Sequence, residues 1–203
     1  MQITEFKKIG KTNRYKMFVD GEFFAVLIDE TIVKNELKVN VEYDLDHLNK
    51  IVFEGQKKVA LDSAIGVISK FSKTEKEMRK NLKDKGFLQD AIDFAVEKLK
   101  EYNYINDNNF AKNFIALKQN LKGKKAIFFE LKMKGVDESI IKKNLEMLQN
   151  QDEILLVLAQ KFAKNKQNDE KLKEKLFRHL VSKGFGFEEI NEVMKKVLYE
   201  NRD

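Results

Sequence analysis

Leu82-Lys83-Asp84-Lys85-Gly86, Leu131-Lys132-Met133-Lys134-Gly135 and Leu180-Val181-Ser182-Lys183-Gly184 are one pattern written three times, 49 residues apart. Met78, Ile127 and Leu176 precede the three leucines by one helical turn. After each glycine the register holds through Ile92, Ile141 and Ile190, then Val96, Leu145 and Met194, then Leu99, Leu148 and Val197. A fixed period of this size marks supersecondary units that stack and bury a continuous core between neighbours. The fold class expected is therefore mainly α: three tandem three-helix repeats in a stacked helical array. Arrays of this kind mostly bind other macromolecules, which turns the reading away from catalysis.

The local signals agree with that period. In the first unit Ala60, Ala64, Val67, Ile68 and Phe71 form an apolar stripe at helical spacing. Thr74-Glu75-Lys76-Glu77 is a capping box that opens a second helix bearing Met78 and Leu82. Gly86 suits the left-handed position that ends a helix, and Phe87 and Phe185, after their glycines, suit the apolar contact of such caps. The second unit starts at Asp107, breaks at Gly123 and restarts its third helix with Asp137 as N-cap. Expected boundaries are 57–106, 107–149 and 150–203, with the first helix of each unit the least faithful to the register.

Residues 1–56 differ. Arg14–Val19 and Glu22–Ile28 flank Asp20-Gly21, a strong hairpin signal. A plain two-residue loop places Met17 opposite Phe24 and Tyr15 opposite Val26, with Phe18 and Phe23 sharing the other face. Ile3–Ile9 adds a third strand. A short helix over 29–37 and another over 44–53, leading to Gly55, complete a small β-hairpin-containing extension.

Composition bounds the function. Of 203 residues, 42% are apolar and 35% charged, enough for a folded core. There is no cysteine, so neither a disulfide framework nor a thiolate metal site exists. No apolar run reaches the roughly 18 residues a membrane helix needs, and the charged start lacks a signal peptide. A soluble cytoplasmic monomer is expected, without membrane association. No phosphate-binding loop, dinucleotide fingerprint or nucleophile elbow is present, and His47 and His179 have no partner at metal-ligand spacing. The expectation is a non-enzyme with no cofactor and no metal.

Charge is uneven. Residues 1–56 carry 8 Lys/Arg and 10 Asp/Glu, while 112–143 holds 9 Lys against 3 acids. A basic face suits a polyanion or an acidic protein groove, although a solvated helix surface explains any single lysine equally well. Candidate contacts are Lys118, Lys122, Lys124 and Lys125 from the second unit, with Arg79 and Lys83 from the first. Phe128-Phe129 and Phe185-Gly186-Phe187 have the chemistry to stack bases, but core packing is the simpler account of them.

Several stretches resemble one family. Thr74–Gly86 carries a Glu-x-x-Arg-like step and L-x-x-K-G. Tyr104-Ile105-Asn106-Asp107-Asn108-Asn109-Phe110-Ala111 resembles Y-[IL]-[ND]-D-x-x-[FY]-A, and Gly123–Ile127 with Glu130-Leu131 and Lys134-Gly135 resembles G-x-x-x-I-x-x-E-L-x-x-K-G. Leu180, Lys183, Gly184 and Phe185 supply the third copy. Together these resemble the RecX family of bacterial recombination regulators, across essentially the whole chain. The resemblance implies a non-enzymatic modulator of RecA, one that lies along the RecA nucleoprotein filament and inhibits its ATPase and strand exchange or promotes its disassembly. It also implies DNA, single- or double-stranded, as a further partner. The family's usual proline and arginine after the first glycine are here Lys124 and Lys125, which keeps charge but loses a planar guanidinium and its bidentate geometry. The competing reading is a direct DNA-binding protein that uses a three-helix unit and its basic face.

Overall fold

A computed structural model describes residues 1–164 and 171–200, and the expected third repeat's residues 165–170 and 201–203 lie outside it. Two compact units divide at Asn106/Asp107.

The first unit begins with an antiparallel sheet in the order β1 (Ile3–Lys8), β2 (Arg14–Val19), β3 (Glu22–Ile28). Asp20 and Gly21 both adopt positive φ, as a tight hairpin demands. Phe18 does pair with Phe23, and their rings meet edge to face at 6.1 Å. Beyond them the expected register fails. A bulge between Met17 and Phe18 sets Met17 opposite Ala25 and Tyr15 opposite Leu27, rather than opposite Phe24 and Val26. The bulge has a packing reason: it brings Ala25 and Leu27 into the core with Met17, all three buried.

Helix α1 (Asp29–Lys34) and helix α2 (Leu45–Ile68) follow. Here a second expectation is corrected. The helix expected over 44–53 does not stop before Gly55; α2 runs unbroken through it, so position 56/57 lies inside one helix that serves both the sheet and the first repeat. Glycine is required there for another reason, since a Cβ would stand 2.5 Å from the side chain of Thr31. Buried Gln56, one residue on, donates from Nε2 to Val26 O (2.7 Å) and Gly86 O (3.2 Å) and accepts from Leu88 N (2.7 Å). One side chain thus ties the sheet, α2 and the corner between α3 (Glu75–Asp84) and α4 (Gln89–Glu101). Thr74 and Glu77 form the capping box of α3.

The second unit holds α5 (Asp107–Lys118), α6 (Lys124–Met133) and α7 (Glu138–Glu146), then α8 (Gln151–Lys164), α9 (Leu172–Ser182), α10 (Phe187–Lys195) and a π-helical turn, Lys196–Glu200. Among the described residues every strand lies before Asp29. The repeat register is the core register. Met78, Ile127 and Leu176 are fully buried, as are Leu82, Leu131 and Leu180. Phe87, Val136 and Phe185, after their glycines, are buried too. Gly86, Gly135 and Gly184 all have positive φ, from 82° to 91°. The first helices are the members out of step: α5 starts at Asp107, but neither α2, starting at Leu45, nor α8, starting at Gln151, lies 49 residues from it.

The glycine corners also receive close neighbours. A Cβ on Gly86 would meet the Val26 side chain at 2.5 Å, and one on Gly184 would meet the Ala126 backbone amide at 2.4 Å. Gly123 N donates to Lys183 O at 2.9 Å, locking the start of α6 onto the corner before α10. Repeats 2 and 3 therefore join backbone to backbone, which two glycines permit.

Candidate functional site

Helix α6 starts against electrostatic preference. Its N-cap, Gly123, has no side chain, and its first turn carries Lys124 and Lys125 with no acid. Cations at a helix N-terminus oppose the macrodipole, at roughly 0.3–1 kcal/mol each on an exposed surface. Both lysines are exposed and, among the described residues, neither has an ion-pair partner. Helix stability does not account for them.

The other candidates divide by what holds them. Lys122 is not a free loop cation: it is half-buried and ion-paired with Glu130, the acid of the E-L-x-x-K-G segment. Lys118 folds back over the Phe114 ring at 5.9 Å. In the first unit Lys83 is exposed, while Arg79 bonds Glu75 from Nε at 2.8 Å and also Asp93, so it fastens α3 to α4. Lys100 joins this network through Glu75 at 3.3 Å and Glu97 at 3.2 Å. The Arg79 hydrogen bond holds the Asp93 carboxyl below its ordinary range. At Glu75 burial pushes upward, yet Arg79 and Lys100 outweigh it and the carboxyl is lowered. The motif lysines also turn inward: Lys85 donates to Ser63 Oγ at 2.7 Å, and Lys134 lies over Phe110 at 5.7 Å. Burial and the nearby Arg14 push the Lys85 ammonium below its usual range.

Lys124 and Lys125 border two concavities. On one side a cleft of about 760 Å³ is lined by Leu148, Phe185 and Phe187, together with Asp152, Glu188 and Glu189. On the other, a groove of about 520 Å³ between α6 and α7 is floored by Phe128 and Leu145. Lys142 and the exposed Phe129 complete its walls. Sequence reading passed over Lys142, which stands 18 residues from Lys124 and meets it only because α7 folds back on α6. It also treated Phe128 and Phe129 alike. Phe128 packs on the core, whereas Phe129 is 62% exposed.

Profiles of two RecX domains match this chain, the second three-helix domain over 106–145 and the third over 149–194. A protein named regulatory protein RecX from Clostridium beijerinckii is 38% identical over 96% of this chain and 93% of its own length. The chain belongs to the RecX family. Another relative of that name, from Caldanaerobacter subterraneus, is 33% identical over 96% of this chain and 98% of its own. A crystal structure of RecX from Lactobacillus salivarius, 26% identical, covers 70% of this chain and 96% of that one with a TM-score of 0.62. A further structure of a regulatory protein RecX shares the fold over 97% of this chain at the same TM-score and 22% identity. These RecX relatives are named as regulatory proteins, and no described helix here is long and apolar enough to cross a membrane.

Proposed function

We propose that this RecX-family chain is a non-enzymatic regulator that binds the RecA nucleoprotein filament and inhibits its ATPase and strand exchange. The observation that carries the reading is the Lys124–Lys125 pair: exposed cations, without an ion-pair partner among the described residues, on a helix start that they do not stabilise. A partner with complementary negative charge gives them a role, and across an interface such charges chiefly set encounter rate and orientation. Several weak contacts spread over a helical array suit a long filament groove. The mechanism is to bridge neighbouring RecA subunits and so restrict the ATP-linked change between filament states.

The direct DNA-binding reading fits the helix starts poorly. If a three-helix unit docked as a helix-turn-helix, its third helix would enter the major groove by its N-terminal residues. Those residues are acidic in all three repeats: Asp90 in α4, Asp137 and Glu138 in α7, and Glu188 and Glu189 in α10. Carboxylates there face phosphate unfavourably. Co-sedimentation with RecA–single-stranded DNA filaments, with RecA ATPase followed in parallel, tests the proposal. Binding to the filament well above binding to bare single-stranded DNA, with falling ATPase, is the expected result. Equal binding to bare DNA identifies a DNA binder, and an unchanged ATPase at saturating protein overturns the regulator reading.

A further inference from the structure

Residues 49 apart build the same crease between the second and third helix of each repeat, and each repeat fills it differently. The position of Phe128 is taken by Arg79 in the first repeat and by Phe177 in the third. Arg79 spans its crease from Glu75 to Asp93 and closes it with charge. In the third repeat a groove of about 290 Å³ remains beside Phe177 and Met194, but Phe187 stacks on Phe177 at 5.8 Å. Arg178, at the position of Phe129, is there paired with Glu174 at 3.3 Å. The second repeat lacks both devices: Glu138 stands where Phe187 does, and Phe129 is exposed and has no cation–π partner among the described residues. Its groove is the larger of these two, and an aromatic wall is left in water.

The chemistry of that groove names its occupant. Phe128 and Phe129 meet at 88° with centroids 5.6 Å apart, which makes a corner and not a flat stacking platform. A corner floored by Leu145 accepts an apolar side chain; a nucleobase there would lay polar edges against carbon, at a desolvation cost. The rim is cationic. Among the described residues Lys124 and Lys125 are unpaired, Lys142 reaches only Glu138, at 3.8 Å, and Glu146 is the single acid in the lining. Apolar corner and lysine rim together match an aromatic or large aliphatic residue flanked by carboxylates.

We propose that the α6–α7 groove anchors a short acidic segment of the filament protein, seating one large apolar side chain in the corner made by Phe128, Phe129 and Leu145 while its carboxylates meet Lys124, Lys125 and Lys142. This inference rests on the filament-binding reading above. To test it, the photoreactive residue p-benzoylphenylalanine is placed at position 129 of the full chain, the protein is irradiated with RecA–single-stranded DNA filaments, and the cross-linked peptide is sequenced by mass spectrometry. A RecA peptide with an apolar residue flanked by Asp or Glu is the expected product. Cross-links to DNA, or to a RecA segment without acids, overturn the assignment. Co-sedimentation without any cross-link overturns the groove and leaves filament binding intact, whereas wild-type protein that fails to co-sediment overturns both. Affinity supplies a second measurement: F129A and K142E each weaken filament binding about tenfold, and R178A, at the matching place in the third repeat, leaves it unchanged. Equal losses in all three variants would remove the distinction on which the proposal stands.

Discussion

At the scale of single residues, the structure separates side chains that hold the fold from those free to meet a partner. Leu131 is wholly buried at the centre of the second repeat, and Leu131→Ala should cost about 2–5 kcal/mol, read from urea unfolding. Gly184 has φ +86° and nearly touches the Ala126 backbone, so Gly184→Ala combines a left-handed penalty of roughly 1–2 kcal/mol with overpacking of about 1–3 kcal/mol. An unchanged melting temperature in that variant would refute the close approach of repeats 2 and 3. The left-handed role of these glycines was legible in L-x-x-K-G, because a helix end needs one. Their second role was not, because which backbone approaches a corner depends on tertiary packing. Gln56 is the extreme case. Nothing in the sequence marks one glutamine among many polar residues, yet Gln56→Ala takes their Gln56 bonds from the buried Val26 O and the half-buried Leu88 N and should cost about 1–3 kcal/mol.

Between elements, the most informative join is α3 to α4. Arg79 matches the family's arginine step and carries charge, which made it a candidate contact; the residues that claim it, Glu75 and Asp93, come together only once the two helices pack. The same limit explains Lys122, whose partner Glu130 lies eight residues away across a helix start. Element identity was easier to read than partnership. The capping box at Thr74 and the N-cap at Asp137 are local chemistry, and both are present. The hairpin bulge and the passage of α2 through Gly55 are not local, since each is decided by what the opposite surface needs buried. The Arg79 network also predicts a pH response. Asp93 and Glu75 have folded pKa values below their unfolded ones, so their contribution is complete above about pH 5 and is lost as pH falls below about 4. With Glu75 30% and Asp93 46% exposed, solvent screening limits the effect to at most about 1 kcal/mol. Urea midpoints from pH 6 to pH 3 should fall more steeply for wild type than for Arg79→Met. Parallel curves would mean that the network contributes nothing to stability.

Across the whole molecule, a net charge of +6 conceals an acidic first quarter and a second repeat dense in lysine. A protein that needed only solubility would spread that charge; here two lysines are spent on the one helix start where they are least welcome. That arrangement predicts that one change weakens binding while leaving stability nearly unaltered. In the double variant Lys124→Glu, Lys125→Glu, each new carboxylate gains from the α6 dipole, at about 0.3–1 kcal/mol, while sharing a cleft lining with the like-charged Asp152, Glu188 and Glu189. These two effects oppose each other, so stability should change by no more than about 0.5 kcal/mol per site. Lys122 is left alone, because reversing it would strand Glu130 and confuse folding with function. Filament binding should instead weaken about tenfold at low salt and lose most of its dependence on ionic strength, since exposed charges act through a screening length of about 10 Å at 0.1 M. Thermal melting and filament co-sedimentation at 0.05 and 0.3 M salt would measure both. Binding that stays tight and salt-sensitive in the variant would place the electrostatic contact elsewhere. Binding lost only in step with a lower melting temperature would make these lysines structural, against the dipole that argues they are not.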